Sequence, residues 1–175
     1  MDLNKDRFFL ALVSENPDQT FKIGISIGEM MKVGDFIALR GELGAGKTTL
    51  IQGIARGMGV PDNYSVVSPT FTIINEYPGK TARLYHIDVY RLSGSTDFFE
   101  TGFEKRDYEN GVTVVEWAEK IIDIVPGNAV FITLQYIDES KRNIYISTED
   151  KNILNSMKIL GFKIISKGGN QNRWL

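Results

Sequence analysis

The 175-residue chain contains no cysteine and only one histidine. Disulfides, thiolate metal sites and cysteine nucleophiles are therefore excluded, and a reducing cytoplasm is the expected setting. Long apolar runs are missing as well: no segment approaches the length needed to cross a bilayer, and Met1 to Arg7 form no export signal. Neither membrane insertion nor secretion is expected. A surplus of positive charge is absent too, since 20 Lys and Arg against 22 Asp and Glu leave a formal charge of −2. A protein that grips nucleic acid unaided carries a basic footprint, so any role on RNA is expected to run through a partner. What is present is ordinary globular usage, 42% hydrophobic and 24% charged, which argues against disorder, in a length suited to one domain with its own core.

The most informative stretch is Gly41-Glu42-Leu43-Gly44-Ala45-Gly46-Lys47-Thr48, of the form G-x-x-x-x-G-K-[ST], set between an apolar strand pattern and a helical one. Glycines there let consecutive backbone N–H groups turn inward around an anion, and the following helix points its positive end at the same place. Lys47 is positioned to reach β and γ oxygens of a nucleotide triphosphate, and Thr48 offers a hydroxyl to Mg²⁺. Four constrained positions coincide by chance in a chain of this length with a probability of roughly one per cent. The candidate nucleotide-binding set is Gly41, Glu42, Leu43, Gly44, Ala45, Gly46, Lys47, Thr48 and Thr49, with Arg142 as a more distant member.

Periodicity and punctuation predict the remaining elements. After the apolar run Phe8 to Val13, Asn16-Pro17-Asp18-Gln19 offers a cap, a proline at the first helical position and a capping-box Gln, predicting a helix from Pro17 to Lys32. Its interior Gly24 and Gly28 each cost about 1 kcal/mol against Ala. Asp35 to Arg40 reads as a buried strand, and Leu50, Ile51, Ile54, Ala55 and Met58 recur at helical spacing until Gly57 and Gly59. Phe71 to Tyr77 and Thr81 to Asp88 read as an antiparallel pair around Pro78-Gly79-Lys80. Two short helices, near Thr96 to Thr101 and Phe103 to Tyr108, precede a strand Val112 to Glu116 and a helix Ala118 to Val125. Strands Ala129 to Tyr136 and Asn143 to Thr148 form a further hairpin. The expected fold class is α/β, a single P-loop NTPase-like domain over residues 1–150 with a mixed, partly antiparallel sheet flanked by helices. Residues 151–175 form a basic C-terminal extension with five basic residues and no acidic one. Ile153, Leu154, Met157 and Leu160 line one helical face for docking on the domain, and a basic arm for an RNA-bound partner is the alternative.

A phosphate-binding loop needs a second acidic element. Two strand patterns end in a carboxylate, at Asp88 and at Glu116. If both strands lie beside the loop-bearing strand, Glu116 ligates Mg²⁺ with Thr48 or orients water, and Asp88 holds metal-bound water or Thr48. The bland readings are a helix-capping carboxylate for Glu116 and a salt bridge to Arg91 for Asp88. Thr70, in Ser68-Pro69-Thr70-Phe71, stands where nucleotide switches place a hydroxyl that senses the γ-phosphate, or merely starts a strand after a proline turn. The catalytic candidates are therefore Asp88, Glu116 and Thr70, and the metal ligands Thr48 and Glu116. His86, two residues before Asp88, faces the same way and reads as a hydrogen-bonded structural histidine, with a general base as the alternative. Trp117 is either core filling or a surface that feels the nucleotide. Arg142 and Lys141 reach nucleotide or partner, or are solvated turn charges.

Beyond the loop, Ala55-Arg56-Gly57-Met58-Gly59, Ser68-Pro69-Thr70-Phe71, Leu84-Tyr85-His86-Ile87-Asp88-Val89-Tyr90-Arg91-Leu92 and Val115-Glu116-Trp117-Ala118-Glu119 follow in an order and spacing that resemble the TsaE family, also called YjeE or YdiB. The resemblance spans Phe8 to Thr148. It implies an ATPase of tRNA threonylcarbamoyladenosine biosynthesis, with ATP as substrate, Mg²⁺ on Thr48 and Glu116, and a partly antiparallel sheet of unusual order. It also implies binding to the TsaB and TsaD subunits, which transfer threonylcarbamoyl to the adenosine beside the anticodon of tRNAs reading codons that begin with A; tRNA is met through that complex. The free protein is expected to be a monomer. Asp97 to Phe103 departs from the family's usual Glu-Leu and Leu-Gly pairs, and the basic tail has no clear counterpart. A small-metabolite kinase and a nucleotide-gated binding module are the competing readings. A guanine-specific switch is disfavoured because no Asn-Lys-x-Asp element is present.

Overall fold

The computed structural model describes residues 7–103, 109–159 and 164–167. Among the described residues eight strands form one sheet: β1 (Phe8–Ser14), β2 (Phe36–Arg40), β3 (Ile74–Pro78), β4 (Arg83–Asp88), β5 (Gly111–Glu116), β6 (Val130–Tyr136), β7 (Arg142–Thr148) and β8 (Ile164–Lys167), in the order β3-β4-β5-β2-β6-β7-β1-β8. The four central strands, β4, β5, β2 and β6, run parallel to one another. Those outside them pair antiparallel. The fold is thus α/β with a mixed sheet. Strands buried on both faces read as nearly continuous apolar runs, and every residue of β5 is buried. Alternation along β2 sends Ile37 and Leu39 into one core and Phe36 and Ala38 into another, one on each side of the sheet.

The larger core is covered by α1 (Pro17–Gly28) and α2 (Lys47–Gly57). Asn16 caps α1 by accepting from the Gln19 amide at 2.9 Å, and Gln19 Oε1 reaches back to the Glu15 amide at 2.8 Å. The glycines that weaken each helix in isolation lie where the two cross. A Cβ on Gly28 would stand 2.1 Å from the Ile54 carbonyl oxygen, and one on Gly53 would stand 2.1 Å from that of Phe21. Contact between the two backbones is therefore what those positions provide.

Four expectations need correction. Helix α1 ends at Gly28, short of Lys32, because the chain tightens through turns at Met30 and Met31, and the Lys32 amide is taken by Asp35 Oδ2 at 2.7 Å. Strand β3 starts at Ile74, short of Phe71, since Ile73 sits at φ 67 with its amide donating to the Pro69 carbonyl. The helix expected over Ala118 to Val125 is a 3-10 turn, Ala118–Ile121, entered through Trp117 at φ 62. The tail carries α4 (Lys151–Ile159), whose Ile153 and Met157 enter the larger core, followed by the unexpected β8, which pairs with β1. The short helix α3 (Ser95–Glu100) is found as expected. The second one, around Phe103 to Tyr108, falls on residues 104–108, outside the described residues.

Candidate active site

Between β2 and α2 the chain makes a tight loop, with Gly44 at φ 76 and Gly46 at φ 97, conformations that side-chain-bearing residues rarely adopt. Gly46 opens α2 with no side-chain cap, so the first amides of the helix keep their donors for another acceptor. The Lys47 side chain is 4% exposed, and its Nζ donates to the carbonyls of Gly41 at 2.7 Å and Glu42 at 3.0 Å. An ammonium has three donors, so these two contacts aim a third outward. The Trp117 ring faces the same ammonium, its centroid 3.9 Å from Nζ. Burial pulls the Lys47 pKa below the ordinary lysine value, against the opposing pull of Glu116, Glu119 and Asp88.

The parallel register delivers the carboxylates. Asp88 on β4 stands opposite Glu116 on β5, and Glu116 stands opposite Leu39, one residue before the end of the loop-bearing strand. Both acids are 3% exposed. Glu116 Oε1 lies 3.5 Å from Thr48 Oγ1 and 2.8 Å from His86 Nε2. Lys47, Thr48, Glu116 and His86 thus form one cluster.

Thr70 and Asp88 form a second one. Asp88 Oδ2 accepts from Ser68 Oγ at 2.5 Å and Thr70 Oγ1 at 2.8 Å, while Oδ1 accepts from the Tyr90 amide at 2.8 Å. That carboxylate latches the Ser68–Thr70 segment to the end of β4. Arg91 lies over the Phe71 ring, 5.1 Å from its centroid. Arg142 braces the glycine loop from behind, Nε donating to Ala45 O at 3.0 Å and Nη2 to Gly44 O at 3.3 Å. Glu42, Leu43 and Gly44 are exposed at the loop's apex, Ala45 is buried beneath it, and Thr49 is half-buried on α2. A cleft of ≈ 470 Å³ opens beside the loop, lined by Glu42, Trp117, Glu119 and Gln135.

Three contributors escaped sequence reasoning. Ser68 shares Asp88 with Thr70, and Tyr90 both caps that carboxylate and packs 5.0 Å from Trp117. The third is the His86–Glu116 contact. His86 and Asp88 share a strand face by parity, a signal the chain does show, but the register that brings Glu116 alongside is not local.

For a divalent cation the donor set is two hard oxygens, Thr48 Oγ1 and the Glu116 carboxylate. Among the described residues no group of three or more His, Cys, Asp or Glu could hold a metal. Mg²⁺ keeps several waters and is held by one or two protein oxygens plus substrate phosphates, so the residues present fit it.

Fold and site together define an α/β protein whose strand–glycine loop–helix unit is flanked by two parallel strands, one of them ending in a buried carboxylate against the loop threonine. The family model described as "Threonylcarbamoyl adenosine biosynthesis protein TsaE" matches residues 14–144. The chain belongs to the TsaE family. It is 36% identical over 135 residues to the tRNA threonylcarbamoyladenosine biosynthesis protein TsaE of Treponema pallidum (strain Nichols), covering 77% of this chain and 98% of that one. With the protein of the same name from Bacillus subtilis (strain 168) it shares 38% over 129 residues, covering 74% and 79%. The crystal structure of Bacillus subtilis YdiB superposes with a TM-score of 0.67 at 32% identity, covering 87% of this chain and 93% of that one.

Proposed function

We propose that this protein binds ATP with Mg²⁺ and hydrolyses it to ADP and phosphate in support of tRNA threonylcarbamoyladenosine biosynthesis. The observation that carries the reading is the convergence of Lys47, Thr48 and Glu116 at the mouth of one glycine loop. Loop amides and the third Lys47 donor bind phosphate oxygens, and the two carbonyls that hold Nζ keep the ammonium from swinging away. Thr48 and Glu116 would hold Mg²⁺, which supplies charge neutralisation on the β- and γ-phosphates. Glu116, buried and tied at Oε1, is preorganised rather than free to reorient, so little is lost in organising it. The attacking water meets the γ-phosphorus as the bond to the bridging oxygen breaks, and catalysis is positioning plus charge stabilisation.

Turnover by the free chain is then slow, and partners complete the site. The partners this reading assigns are TsaB and TsaD, with tRNA met through them, and the setting is the cytoplasm. No helix among the described residues is long and apolar enough to cross a membrane. The test is ATP hydrolysis by the reconstituted complex with Glu116→Ala, alongside nucleotide binding by Lys47→Ala. We expect the first variant to bind ATP but lose at least about a hundredfold in turnover, and the second to lose binding. Unchanged hydrolysis in Glu116→Ala sinks the assignment, as does tight binding by Lys47→Ala.

A second reading, a nucleotide-gated binding module, draws on the Ser68–Thr70 latch, whose hydroxyls are engaged by Asp88. Release of Thr70 to a γ-phosphate would reshape that segment without any need for turnover. A non-hydrolysable analogue that supports full tRNA modification would favour it.

A further inference from the structure

His86 has been given no role of its own so far. It is the only histidine, it is 0% exposed, and it leaves β4 on the face shared with Asp88. Asp88 stands opposite Glu116 in register, so that face continues onto the neighbouring strand. Nε2 lies 2.8 Å from Glu116 Oε1. A carboxylate only accepts, so Nε2 carries the proton whether the ring is neutral or charged. Nδ1 is buried and has no hydrogen-bond partner among the described residues. An apolar side chain would fill the same space without an unsatisfied nitrogen, so packing alone is a poor account of an imidazole here. Among the described residues the ring's one polar contact is with the carboxylate that faces Thr48, through the same oxygen that stands 3.5 Å from the hydroxyl.

We propose that His86 is a positioning residue for Glu116: its Nε2–H holds Oε1 and so fixes the direction in which the carboxylate meets Thr48 and a divalent cation bound there. Groups that orient a metal-ligating carboxylate from behind govern affinity without touching the ion. This inference rests on the Mg²⁺–ATP reading, and its test separates the two. His86→Gln and His86→Asn both replace the ring with an amide. Gln carries its nitrogen at about the reach of Nε2, whereas Asn carries it at that of Nδ1, so only Gln can donate to Glu116.

Mn²⁺ binding to the full chain, saturated with adenylyl imidodiphosphate, is measured by electron paramagnetic resonance. Nucleotide affinity in EDTA and melting temperature are measured beside it. The expected result is metal-free nucleotide affinity within about twofold for all three proteins, Mn²⁺ affinity near wild type in His86→Gln, and a loss of about tenfold in His86→Asn. Equal Mn²⁺ affinity in the two variants, whether retained or lost, overturns the role of His86. If His86→Asn does not fold, a tenfold loss in His86→Gln overturns it and wild-type affinity supports it. A wild-type chain that binds nucleotide but no Mn²⁺ defeats the Mg²⁺–ATP reading itself, a result distinct from either.

Discussion

The two sides of the glycine loop are built on opposite principles. Where α1 crosses α2, the contact is backbone against backbone, lined by glycine and by fully buried Ile23, Ile27, Leu50 and Ile54. At the C-terminal edge of β2, β4 and β5, by contrast, Lys47, His86, Asp88 and Glu116 are all buried within one region. Burying charge is unfavourable unless each group is paired, and these are paired with one another, with loop carbonyls and with neighbouring hydroxyls. The contrast teaches that rigidity in this protein comes from the helix crossing, which anchors the very helix that begins at Lys47. The polar edge spends part of that stability on a preorganised site.

The comparison is broken most severely by Gly53→Ala. Its new Cβ would meet the Phe21 carbonyl oxygen at 2.1 Å, and forced separation of the helices should lower unfolding free energy by about 3 kcal/mol. Denaturant titration measures it, and a change below about 0.5 kcal/mol would mean that the crossing yields freely.

On the polar side, Ser68→Ala removes one of the two hydroxyls on Asp88 Oδ2. A loss of about 1 kcal/mol confined to that segment should speed exchange of the Ile73 amide about fivefold, with the global transition nearly unmoved. Equal acceleration across β5 would show instead that the latch is part of the global core.

The finest probe is the pH dependence of Lys47. Its folded pKa is lowered by burial, so the unfolded chain binds more protons between that lowered value and the ordinary lysine value of about 10.5. Stability contributed by this residue therefore rises with pH through that window and is flat below the lowered value. The difference in unfolding free energy between wild type and Lys47→Met should shift toward wild type as pH approaches the upper end. A difference that stays level would show that burial does not perturb the ammonium.

Much of the fold was readable from local pattern. Asn16, Pro17 and Gln19 announced the start of α1, and the glycine loop announced both β2 and α2, because capping and phosphate-loop geometry depend on residues a few positions apart. The end of α1, the start of β3 and the single turn at Ala118 depart from that local pattern. Turns at Met30 and Met31 and the Asp35 carboxylate on the Lys32 amide end α1, while positive φ at Ile73 and Trp117 overrode local preference at the other two. Gly24 and Gly28 looked like weaknesses because their compensation lies on another helix. In the site, the spacing pairs Thr48 with Glu116, and the structure has them 3.5 Å apart. Thr70 and Asp88 were nominated for the phosphate side, and here they face each other. Arg142 proved to hold the loop's own carbonyls.

Residues within a few positions of one another determined the loop, its lysine, the helix it opens and the chemistry those groups admit, since bond geometry and hydrogen bonding at that range tolerate few alternatives. Strand order was decided only in three dimensions. So were the joining of β8 to β1, the glycine-to-backbone crossing and the placing of His86 behind Glu116. Each depends on pairing segments far apart in the chain, where many registers are locally equivalent and only the burial of both sheet faces selects one.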